Sequence, residues 1–131
     1  MDREGIRQKA IRMEEFLHDL EPILDLGEAS FTHDAMAVDA GHRLLELLVA
    51  DAVWINTELV GSVGGAEASG ADSFAALQAI GGIDEPTART LAACAAIPAP
   101  RKTAERARLF AALVASVPVW RAYGRQVVAR V

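Results

Sequence analysis

At 131 residues, 52% apolar and 24% charged, the chain is sized for one domain, 1–131, with a single hydrophobic core. Its wealth of Ala and Leu and its few β-branched runs suit a helical protein. A lone cysteine, Cys94, excludes an internal disulfide and any cysteine-cluster metal site, and no apolar run approaches the roughly 20 residues of a membrane span.

The N-terminus, MDREGIRQK, is charged throughout and lacks the apolar segment of a secretion signal, so a cytoplasmic protein is expected. A first helix is predicted over about residues 2–25. Ile6, Ala10, Met13, Phe16 or Leu17, Leu20 and Leu24 recur at helical spacing, and Pro22 should distort or end it. The segment 27–34, GEASFTHD, reads as a short connection with Phe31 plugging the core.

A second helix, about 34–60, is apolar on more than one face: Leu44, Leu45, Leu48, Val49, Val53, Trp54, Ile55 and Leu59 wrap around it. A helix apolar on two sides is buried on two sides. One side would pack on its own bundle and the other on a second subunit, with Leu44, Leu48, Trp54 and Ile55 as interface candidates. The alternative is a central helix within a monomer.

Residues 61–71, GSVGGAEASGA, hold four glycines and read as a loop. Asp72 would cap a short helix to about Ile80, ended by Gly81-Gly82. Asp84 would cap the next, with Glu85 and Pro86 in its first turn, running to Ile97 and stopping at Pro98-Ala99-Pro100. Thr103 would cap a last helix, 104–131, kinked or divided near Ser116–Pro118. An all-α bundle of four or five helices, up-and-down, with a short helix pair after the Gly-rich loop, is the expected fold.

Charge is uneven along the chain. Residues 101–131 carry seven of the thirteen Lys and Arg and one of the eighteen Asp and Glu. Arg101, Lys102, Arg106 and Arg108 are therefore candidates for phosphate or nucleic-acid contact, against the plainer reading of a solvated helix face. His18, His33 and His42 lack metal-ligand spacing, no phosphate-cradling glycine motif is present, and no metal or cofactor is assigned. Cys94 and Tyr123 read as packing residues, and Trp54 and Trp120 as core or interface anchors.

Three stretches carry a resemblance to a known family: MDREGIRQKAIRMEEFLHDLEPIL (1–24), HRLLELLVADAVWINTEL (42–59) and DSFAALQAIGGIDEPTARTLAACAAI (72–97). Together they resemble the HepT-like branch of the HEPN superfamily, helical toxin partners of minimal nucleotidyltransferases. In that family the residues that follow resemble F-R-N-x-[LI]-[VA]-H-x-Y, whose Arg and His serve RNA cleavage and whose Tyr the partner enzyme can nucleotidylate. Here the chain reads Ile97-Pro98-Ala99-Pro100-Arg101-Lys102-Thr103-Ala104-Glu105, with no histidine after His42. The family's Glu and Asp, four apart on the second helix, fall on Ala50 and Trp54; a one-residue shift would use Asp51. Metal-free RNA cleavage needs a group that moves a proton near neutral pH and a cation for the phosphorane. The resemblance therefore implies a HEPN-like fold with a degenerate active site and no catalytic residue. It also implies a homodimer that pairs with a minimal nucleotidyltransferase in a toxin–antitoxin system, or with an active paralogue. An RNA- or nucleotide-binding protein using the basic last helix is the alternative.

Overall fold

The computed structural model describes residues 1–131 and is all-helical, as the composition predicts. Six helices follow in order: α1 (Arg3–Leu24), α2 (Gly27–Thr32), α3 (Ala35–Ser62), α4 (Asp72–Ala79), α5 (Glu85–Ala95) and α6 (Thr103–Val128). The sixth helix, beyond the four or five expected, comes from GEASFTHD, which winds into α2 instead of remaining a plain connection. Winding lets Phe31 reach full burial, where its ring meets Phe110 of α6 at 5.2 Å between centroids.

Local chemistry accounts for most helix ends. Asp2 caps α1 by accepting from Gly5 N–H at 2.8 Å, Asp34 caps α3 through Met36 and Ala37, and Asp84 caps α5 through Thr87. Gly81 ends the α4 region at φ +77°, where a side chain would be strained. Two expected caps are corrected. Asp72 is the first residue of α4, after an Ala71 N-cap that makes no side-chain bond. Thr103 is the first residue of α6, whose N-cap is Lys102.

The principal helices alternate in direction. Asp2 bonds Glu58 and Arg12 bonds Asp51, so α1 and α3 are antiparallel. Arg7 contacts Val131 while Glu14 contacts Arg121, so α1 and α6 are antiparallel too. Asp84 near the start of α5 meets Gln126 near the end of α6, leaving α5 opposed to α6. The result is an up-and-down bundle of α1, α3, α5 and α6, with α2 and α4 set into its connections.

α3 packs against each of the other five helices, and this satisfies its two apolar sides within one chain. Leu48 and Ile55 are fully buried in this core, so the expectation that they face a second subunit is corrected. Leu44 and Trp54 are half-buried at its edge. Trp54 lies against Gly5, where a Cβ would stand 2.8 Å from the indole, and Lys9 sits over its ring at 5.0 Å. The break expected at Ser116–Pro118 is also absent. α6 is continuous through Pro118, which is exposed, so the carbonyl left without its usual partner need not be buried.

Candidate functional site

The basic start of α6 follows the Pro98-Ala99-Pro100 stretch, and Glu105 organises it. Its carboxylate accepts from the backbone N–H of Arg101 at 3.0 Å and of Lys102 at 2.8 Å. Lys102 has no accepting side-chain group, so the acid three residues on performs the capping. These bonds, with the nearby charges of Lys102 and Arg108, hold the Glu105 carboxyl below its ordinary range. The electropositive helix end is thus already occupied by the chain's own carboxylate.

The four cations predicted here do not act together. Arg106 turns inward and donates to the Thr32 carbonyl at 3.0 Å, pinning the end of α2 to α6, while its Nε is buried without a partner. Arg101, Lys102 and Arg108 remain exposed and belong to no ion pair. Arg108 also borders a cavity of about 460 Å³ with Cys94, Pro98 and Pro100. Burial pushes the Cys94 thiol up, an effect that Ser116 partly offsets.

The histidines are dispersed. His42 Nε2 contacts the Ile97 carbonyl at 3.3 Å, and its Nδ1 lies 3.4 Å from Glu46. His33 Nδ1 turns back on the Ala29 carbonyl at 2.8 Å, and His18 faces Glu21 at 3.6 Å. No group of three His, Cys, Asp or Glu side chains is placed to hold a metal ion. Glu105, four residues after Arg101, commits one carboxylate oxygen to the helix start.

Two polar arrangements escaped the sequence reading. Asp51, almost fully buried, receives both arms of the Arg12 guanidinium, with Lys9 Nζ at 3.7 Å. Asp51 stands within the apolar run 47–55, where a buried carboxylate needs a cation, and that much is legible in the sequence. Which cation answers was not readable, because α1 offers several. The second arrangement centres on Tyr123, whose hydroxyl donates to Asn56 Oδ1 at 2.6 Å and approaches the Ala52 carbonyl at 3.0 Å. Asn56 in turn donates to Ser73 Oγ at 2.9 Å, and Ser73 donates to the Gly70 carbonyl. Burial, reinforced by the Asp51 charge, raises the Tyr123 hydroxyl well above its ordinary value, so it stays protonated and donating. These groups join α3, α4 and α6 in the interior.

A groove of about 550 Å³ separates α1 from α6. Its floor is apolar, built on Met13, Leu17 and Trp120, and Arg7, Arg121, Arg125 and Glu14 border it. Arg121 spans Glu14 at 3.2 Å and Glu21 at 3.3 Å, stapling the two walls. Ile11 and Val128, also at the groove, leave 63% and 42% of their surface exposed. No helix is long and apolar enough to cross a membrane. No protein-family model matches the chain, and no match is found among the curated proteins or the solved structures.

Proposed function

We propose that this chain is a non-catalytic helical interaction module of the HepT-like kind. In this reading it acts as a homodimer, without a cofactor, in a toxin–antitoxin-type pair with a minimal nucleotidyltransferase. The observation that carries the interaction reading is the α1–α6 groove, an apolar surface flanked by the exposed Ile11 and Val128. The absence of catalysis is supported by commitments already made within the chain. Glu105 caps α6, Arg106 holds α2, and His42 Nε2 contacts the Ile97 carbonyl. The family part of the reading rests on the resemblance of residues 1–24, 42–59 and 72–97.

One observation favours a second reading, RNA binding: Arg101, Lys102 and Arg108 are exposed and unpaired. Light-scattering mass with and without added RNA, followed through a salt series, separates the two. A mass near twice 13.9 kDa that ignores RNA supports the interaction module. A mass that rises with RNA and falls back with salt overturns it in favour of a phosphate-binding surface. RNA cleavage abolished by Arg101→Ala overturns the non-catalytic assignment.

A further inference from the structure

The outward ridge of α1 is charged in two halves. Arg3, Arg7 and Lys9 lie before Ile11 with Glu4, whereas Glu14, Glu15, Asp19 and Glu21 follow it, with Arg12 turned to Asp51 of α3. Ile11 sits at the divide and, at 63% exposure, is far more open than an isoleucine of the core. When two such helices lie antiparallel with Ile11 on the two-fold axis, residue numbers across the seam add to the same value. Arg7 of one copy then faces Glu15 of the other, Arg3 faces Asp19, and Glu4 faces His18. Each pairing occurs twice, because a two-fold interface repeats every contact. Arg3, Glu15 and Asp19 enter no ion pair within the chain, so their charges are free to pair across the seam.

The neighbouring groove fits the same arrangement. Arg7 contacts Val131 and Glu14 contacts Arg121, which puts Ile11 level with Gly124 and Arg125. Gly124 is mid-helix, where glycine costs roughly 1 kcal/mol relative to alanine. A Cβ there would meet nothing within 4 Å, so packing inside the chain does not require the glycine. The space it leaves adjoins the place where Ile11 of a second copy would arrive.

We propose that a second copy of this chain docks its α1 antiparallel along α1, seating Ile11 over the α1–α6 groove with Arg7 and Glu15 paired across the axis. The proposal rests on the interaction-module reading and names its surface. Concentration-dependent mass measurements on the full chain test it, with circular dichroism confirming that each variant keeps its helix content. Ile11→Lys sets like charges on the axis and is expected to raise the dimer dissociation constant at least about tenfold. Glu15→Arg and Arg7→Glu should each weaken the dimer about tenfold, and the two together should restore it to within about threefold. A wild-type dimer unmoved by Ile11→Lys and by both charge reversals overturns this surface while leaving a dimeric module in place. A chain that stays monomeric at all concentrations overturns both the surface and the homodimer.

Discussion

Arg12 reaches from α1 to α3 and engages both carboxylate oxygens of Asp51, which is only 3% exposed. Such a pair clasps two helices, and its two members are not equal. The Arg12 side chain is half exposed, so its loss costs little solvation of its own, but it leaves a buried carboxylate with only Lys9 nearby. Arg12→Met is therefore expected to destabilise the fold by about 1–3 kcal/mol, between the values for surface and fully buried pairs. Adding Asp51→Leu should recover most of that loss. Urea unfolding of the two variants checks this; a double variant no more stable than Arg12→Met would mean that the carboxylate is not the cause.

Tyr123 and Asn56 form a second interior link. Tyr123→Phe removes the donor and leaves Asn56 Oδ1 without it, an expected loss of about 1–3 kcal/mol at neutral pH. The pH dependence has a definite sign. The folded hydroxyl titrates above its unfolded value, so the native state holds its proton after the unfolded chain has released it. Stability is complete below about pH 10 and falls as pH rises toward the folded value. Wild type should lose its advantage over Tyr123→Phe in alkaline unfolding curves, and parallel curves would count against this account.

Glu105 makes the opposite prediction at the acid end. Its folded carboxyl titrates below the unfolded value, so its contribution is present above about pH 4 and disappears as pH falls through the folded value. Glu105→Gln should lower the melting temperature at pH 7 by about 1–3 °C and make no difference in strong acid. Melting curves at the two extremes of pH test this, and an equal deficit at both would contradict it.

Pro118 interrupts the backbone ladder of α6 without interrupting the helix. Because it is exposed, replacing it opens no cavity. Pro118→Ala restores an N–H donor and is expected to stabilise the chain by about 1–3 kcal/mol. Chemical denaturation provides the measurement. A destabilised variant would show that the proline ring or its local backbone geometry is needed where it stands.

Signals confined to one or two turns were legible in the sequence. Asp84 caps because a carboxylate accepts from a nearby N–H group, and the expectation from residue type and position holds. Asp72 and Thr103 looked equivalent and do not cap. At α6 the helix starts one residue earlier than expected, so Thr103 is already helical and Glu105 reaches back to the N–H groups of Arg101 and Lys102. Pro118 misled as well. Its steric cost is local, whereas the packing of α6 on α1, α2, α3 and α5 that offsets it is not.

By itself, then, the sequence determined an all-helical chain, the order of its principal helices, the Gly-rich break between them and the burial of Phe31, since these follow from periodicity and residue type. Only the tertiary structure decided what covers each apolar face and which charges meet. Periodicity shows that α3 is apolar on two sides but not that its own chain supplies both covers, which is why Leu48 and Ile55 lie in the core. Arg12 and Asp51 stand 39 residues apart, and Tyr123 and Asn56 stand 67 apart. Such partners are chosen by how whole helices dock, when buried polar groups must find one another or remain unsatisfied.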